Sequence, residues 1–136
     1  MLSFSDSRII GQGLSIGYSA KCRMDKLSDY SKIIEGILQN HVELCNRRPN
    51  PEVENFLVAD REKGHYIWMN LGWRGSKRIT AMTVYVRLQQ GKFWIEEDWT
   101  EEGIATELLQ AGVPKENIVL AFQKPEMRQY TEFAIA

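Results

Sequence analysis

Cysteine is scarce: Cys22 and Cys45 are the only two in 136 residues. Two isolated thiols, with no C-x-x-C pair, build neither a zinc site nor a disulfide framework, and the expectation is a reducing, cytoplasmic setting. Histidine is equally rare, with only His41 and His65 present. No apolar run approaches the roughly 18 residues that cross a bilayer, so no membrane partner is expected. The first residues do not read as a secretory signal, because Asp6 precedes the first base and Gly11, Gly13 and Gly17 break the apolar run. A charge excess is also missing: the formal net charge is −1, so no bulk field draws in nucleic acid. Gly11-Gln12-Gly13 and Gly17 fall short of a phosphate loop because residue 16 is Ile. Neither a G-x-x-x-x-G-K-[ST] loop nor a Gly-x-Ser-x-Gly elbow occurs, and no cofactor is expected.

What is there is an ordinary globular composition, 43% hydrophobic and 26% charged, enough for one domain with one core. The chain divides by composition. Residues 1–23 are rich in Ser and Gly and carry a net +2, against a net −3 for 24–136. They are expected to form a poorly ordered extension, with the domain spanning 24–136. From Asp25 the pattern turns helical. Leu27, Tyr30, Ile34, Ile37, Leu38, His41, Val42 and Cys45 recur at spacings of three and four, one stripe of an amphipathic helix. Gly36 interrupts it, and a close packing contact is the expected reason. Asn46, Pro49 and Pro51 end it.

Four strand-like runs follow: Asn55–Asp60, His65–Trp73, Arg78–Leu88 and Lys92–Glu97. Alternation puts Tyr66 and Trp68 on one face of the second run. It puts Thr80, Met82, Val84, Val86 and Leu88 together in the third. Short turns around Gly64, Gly75 and Gly91 predict an antiparallel meander. In the last third, Thr100 is the expected N-cap of a short helix, with Glu101 and Glu102 in its first turn. Gly112 is its expected C′ residue, and Pro114 lies just beyond. Ile118–Phe122 is a further apolar run, Pro125 opens a helical turn, and the apolar C-terminus should dock. The fold class is therefore α+β: a long N-terminal helix on a mostly antiparallel four-stranded sheet, with short C-terminal helices.

Three chemistries compete for the polar and aromatic residues. The acidic run Glu96-Glu97-Asp98 with Glu101 and Glu102 suggests a divalent cation for a metal-dependent hydrolase or nuclease. Strand alternation should separate Glu96 from Glu97, and the Glu-x-Lys tripeptide of a nuclease core is missing in this region, so neither metal nor catalytic residues are expected. Arg74, Lys77 and Arg78 form a small basic group in a turn, the candidates for direct nucleic-acid contact. Tyr66, Trp68, Tyr85 and Trp94 spread over a sheet of which one helix covers one face. They are the candidates for contact with a protein partner or a second copy of the chain.

The C-terminal half carries a resemblance. T-E-E-G-I-A at Thr100–Ala105, A-G-V-P-K at Ala111–Lys115, I-V-L-A-F at Ile118–Phe122, P-E-M-R at Pro125–Arg128 and T-E-F-A-I-A at Thr131–Ala136 resemble the XisI family. These are the fdxN-element excision controlling factors of cyanobacteria. Met24-Asp25-Lys26-Leu27 with Tyr30, and Gly72-Trp73, extend the resemblance over 24–136. Trp99 departs from the family's usual Gly, and Gln123-Lys124 from its usual His-Pro. The resemblance implies a non-enzymatic regulatory factor for excision of a DNA element, acting beside a XisH-like protein; the net −3 of the domain adds the expectation that it touches DNA only indirectly or weakly. It transfers no catalytic residue and no cofactor.

Overall fold

The computed structural model describes residues 14–48 and 52–136, with side chains described from residue 28. The connector around Pro49 and Pro51, and residues 1–13 of the expected extension, lie outside the described residues. Helix α1 spans Leu14–Asn46, so residues 14–23 are helical, well before the expected start at Asp25. The expected boundary rests on composition. Backbone continuity depends instead on the absence of proline, and Ala20, Lys21, Arg23 and Met24 all favour helix. Along α1, Tyr30, Ile34, Leu38 and Val42 are buried, as their spacing predicts. Gly36 departs from expectation: a Cβ there would meet nothing within 4 Å. Gly36→Ala should therefore raise stability by about 0.5–1 kcal/mol, read as a higher urea midpoint. An unchanged or lower midpoint would mean that the glycine is needed.

The sheet has five strands in the order β1 (Val53–Asp60), β2 (His65–Arg74), β3 (Lys77–Gln89), β4 (Lys92–Asp98) and β5 (Ile118–Leu120). The first four form the expected antiparallel meander. The fifth adds to the expected count and runs parallel to β4, reached by a crossover through α2 (Ile104–Gln110). Two turns are tighter than the glycines suggest. Gln89 pairs with Lys92 across only Gln90-Gly91, both at positive φ, and Arg74 pairs with Lys77 across only Gly75-Ser76. Gly72 lies inside β2. It lets the backbone of Glu52 approach, where an added Cβ would lie 2.2 Å from a carbonyl oxygen.

Two bulges break the alternation. Trp68 opposes Val84 while Met69 opposes Met82, leaving Thr83 as the extra residue on β3. Thr80 and Met82 thus leave the face shared by Val84, Val86 and Leu88, contrary to the period-two expectation. The second bulge is at Glu96, between the pairs Tyr85–Glu97 and Val86–Ile95.

One core lies between α1, α2 and the near face of the sheet. Ile34, Leu38, Val84, Val86, Phe93, Ile95, Ile104, Leu108 and Ile118 are fully buried. Each contributes roughly 1.5–3 kcal/mol of burial. Tyr30 stacks on Phe93 at 4.8 Å, and Asn117 donates to its hydroxyl. The start of α2 differs from expectation. Asp98, not Thr100, satisfies the helix end: its carboxylate accepts from the Ile104 N–H at 2.6 Å and from the Thr100 N–H and hydroxyl. Gly103, at φ 92°, is the N-cap residue. At the other end Gly112, at φ 97°, is the expected C′ glycine: its N–H reaches Leu109 and that of Val113 reaches Leu108. The C-terminus docks as expected, with Ala134 bonded to the Ile118 carbonyl and Phe133 against the core.

Candidate interaction surface

The four candidate aromatics do not share a face. Tyr66 and Trp68 are buried beneath α1, at 0% and 6% exposure. Tyr66 donates its hydroxyl to Ser31 Oγ at 2.7 Å, and burial pushes its phenol pKa up. Trp68 donates to Asn55 Oδ1 at 2.9 Å, with the His41 ring stacked on it at 5.3 Å. These two offer no surface to a partner; alternation alone places them on one face without saying which face the helix covers.

Tyr85 and Trp94 occupy the opposite face. Two cross-strand rows run over it: His65, Arg87 and Trp94 in one, Ile67, Tyr85 and Glu97 in the other. All are half-buried. The Tyr85 hydroxyl meets His65 Nδ1 at 2.9 Å, so His65 is engaged rather than free in solvent. Arg87 donates to Glu96 at 2.8 Å and lies over the Trp94 ring at 6.0 Å, while Trp94 donates to the Gln89 carbonyl at 3.1 Å. The bulge brings Glu96 to the same face as Glu97, correcting the expected separation by alternation. The aromatic rings are thus pinned by hydrogen bonds on an outward face. Tyr, Trp and Arg held rigid in this way are the residue types that anchor protein interfaces. His65, Arg87 and Glu96 are missed by composition and motif. For Arg87 the two-residue loop Gln90-Gly91 is the signal, because it fixes Arg87 opposite Trp94.

The remaining candidates have separate places. Arg74, Lys77 and Arg78 are exposed at the tip of the β2–β3 hairpin, away from both rows. The acidic run is dispersed among structural tasks: Glu96 on Arg87, Asp98 on the start of α2, Glu97 on the Trp99 indole at 3.2 Å. Among the described residues no three His, Cys, Asp or Glu side chains converge to hold a metal ion. His41 bonds Glu107 at 2.6 Å, joining α1 to α2. Large apolar side chains are exposed at Trp99 and in the C-terminal segment at Phe122, Met127, Tyr130 and Ile135. No helix among the described residues is long and apolar enough to cross a membrane.

Residues 24–135 match the family model described as XisI protein. The chain belongs to the XisI family. Two solved structures support the fold. One is a XisI-like protein from Anabaena variabilis ATCC 29413, 36% identical, TM-score 0.75, covering 81% of this chain and 99% of that one. The other is the fdxN element excision controlling factor XisI of the same organism, 40% identical, TM-score 0.72, covering 82% of this chain and 99% of that one. No curated protein matches the sequence.

The XisI motifs acquire physical tasks here. In T-E-E-G-I-A, Gly103 turns the chain so that the Ile104 N–H meets Asp98. In A-G-V-P-K, Gly112 closes α2, and Val113 is buried beyond it. In P-E-M-R, Arg128 donates to the carbonyls of Gln123, Ala121 and Ile135, stapling the C-terminal segment to itself. Lys115 pairs with Glu132 at 2.7 Å, which holds its ammonium pKa above the usual lysine value and joins the crossover to the same segment. Trp99 is 77% exposed and supports no core.

Proposed function

We propose that this XisI-family chain is a cytoplasmic, non-enzymatic controlling factor for excision of a DNA element, and that it acts by docking on a XisH-like protein. The observation that carries this reading is the open sheet face, where Tyr85, Arg87 and Trp94 are held in fixed positions and α1 covers only the other side. The membership and the excision controlling factor among its structural neighbours support the biological setting. The engagement of Glu96, Asp98 and His41 in structural bonds supports a role without chemistry of its own. The exposed apolar residues of the C-terminal segment would extend the contact. A homodimer through the same face is the second use of this surface.

Tyr85→Glu tests the reading. It puts a charge at the centre of the face without touching the core. Capture of a XisH-like protein on immobilised chain should fall about 30-fold or more, since loss of a central anchor costs roughly 2 kcal/mol or more. The thermal midpoint should move little. Undiminished capture by a folded Tyr85→Glu chain would remove the face from the account.

A further inference from the structure

The β2–β3 hairpin outruns the sheet. Its neighbour β1 begins at Val53, opposite Gly72, and β4 reaches β3 only as far as Val84. Beyond the bond from the Trp73 N–H to the Glu52 carbonyl, residues Trp73–Arg78 therefore continue as a two-stranded ribbon with no strand on either side among the described residues, and all six are exposed. Its last cross-strand pair is Arg74 opposite Lys77, and Arg78 follows opposite Trp73. Like charges directly opposite destabilise a ribbon. None of the three cations forms an ion pair among the described residues. Arg78 is oriented: its guanidinium lies over the half-exposed Trp73 ring at 5.3 Å, and it donates to the Gly72 carbonyl at 3.4 Å.

Helix α1 adds to this pole. It runs from the β1–β2 turn, where Glu35 holds Arg61, past His41 on Trp68, to Asn46 bonded to Asn55. Asn55 opposes Asn70, so the exposed Arg47 and Arg48 leave the helix at the ribbon's end of the sheet. Glu52 and Glu54 lie at this end, Glu43 is one turn before Arg47, and Glu101 and Glu102 follow the end of β4 that points the same way; among the described residues none of these acids is ion-paired with these bases. In a domain that is negative as a whole, the ribbon itself carries three cations and no acid, and Arg47 and Arg48 lie at the same end.

We propose that the Trp73–Arg78 ribbon binds the phosphate backbone of a nucleic acid, with Trp73 placed to stack on an unpaired base. Charge complementarity selects this occupant. Arginine and lysine on a slender element are the usual phosphate contacts, and a two-stranded ribbon is narrow enough to enter a DNA groove. A protein partner would be served by an apolar centre, and the ribbon offers a single aromatic ring. Trp73 and Arg78 continue the Tyr85 side of the sheet, displaced along β3 by roughly 20 Å from Tyr85, so a partner centred on Tyr85 and Trp94 leaves the hairpin tip free for DNA.

Fluorescence anisotropy of labelled short DNA, duplex and single-stranded, tests this across a salt series. Combined Arg74→Ala, Lys77→Ala and Arg78→Ala should weaken binding about 10-fold or more and flatten the log–log salt slope by about 3. Trp73→Ala should weaken the single strand more than the duplex. Both variants change exposed residues, and an unaltered melting curve with retained capture of a XisH-like protein establishes that they remain folded. The proposal is overturned by absence of DNA binding in the wild-type chain, by an unchanged slope in the triple variant, or by polyglutamate binding as tightly as DNA, which would point to an acidic protein instead.

Discussion

Tyr66→Ala is expected to destabilise the fold by about 3–5 kcal/mol, a large share of the roughly 5–15 kcal/mol that holds a domain together. The ring is completely buried between α1 and the sheet, and its removal leaves a cavity that the strands on either side cannot close. Tyr66→Phe separates packing from hydrogen bonding. It keeps the ring and leaves the buried Ser31 hydroxyl without its 2.7 Å partner, at a cost of about 1–2 kcal/mol. The same site sets an alkaline limit. Burial raises the folded phenol pKa above the ordinary 10.0 of the unfolded chain. The raised value means that the native state holds the proton more tightly, so its stabilising contribution is complete below pH 10 and is lost as the pH rises further. Urea melts between neutral pH and strongly alkaline pH should show this fall in the wild type and a smaller one in Tyr66→Phe. Equal stability of wild type and Tyr66→Ala would return Tyr66 to the surface, where its sequence context alone allows it to be.

Gly64→Ala should be comparably damaging, at about 3 kcal/mol or more, for a different reason. Gly64 has φ +76°, and a Cβ there would lie 2.3 Å from the backbone oxygen of Leu88. The left-handed conformation alone costs an L-residue about 1–2 kcal/mol. The clash adds to that, because it can be relieved only by pulling the β1–β2 turn away from β3. That movement breaks the bond from the Leu88 N–H to the Gly64 carbonyl. Gly75→Ala is the control: its φ is +65°, but a Cβ would meet nothing, so only the conformational cost remains. Chemical denaturation of the two variants should therefore differ by about 2 kcal/mol. Equal losses would show that the approach of Leu88 contributes nothing.

Those two sites mark where the sequence is legible and where it is not. The α1 stripe from Tyr30 to Val42 and the four meander strands follow from periodicity, because a helix and a half-buried strand each repeat at a fixed interval. The P-E-M-R and A-G-V-P-K motifs are legible as punctuation, yet their tasks are not. That Arg128 binds three carbonyls of its own segment depends on a fold of the chain back onto itself. The bulges at Thr83 and Glu96 were hidden for a deeper reason. A bulge leaves no compositional mark, and each one reverses the alternation for every residue beyond it. This is why Glu96 and Glu97 share a face, and why Met82 leaves the face of Val84. Thr100 has the right side chain in the right neighbourhood for the cap of α2, but Asp98 reaches the Ile104 N–H from within the preceding strand. Of the four candidate aromatics, Tyr85 and Trp94 lie on the outward face while Tyr66 and Trp68 are buried, a division the sequence does not make. Which face a helix covers is decided by tertiary packing, and strand alternation is silent on it.

Sedimentation velocity of an equimolar mixture with a XisH-like protein tests the central claim most directly. The wild-type chain should travel with its partner as one faster boundary. Tyr85→Glu should leave two slower boundaries, while the triple substitution at Arg74, Lys77 and Arg78 should sediment like the wild type. Separate boundaries for the wild-type mixture, or a complex indifferent to Tyr85→Glu, would contradict an account built on the open face of the sheet.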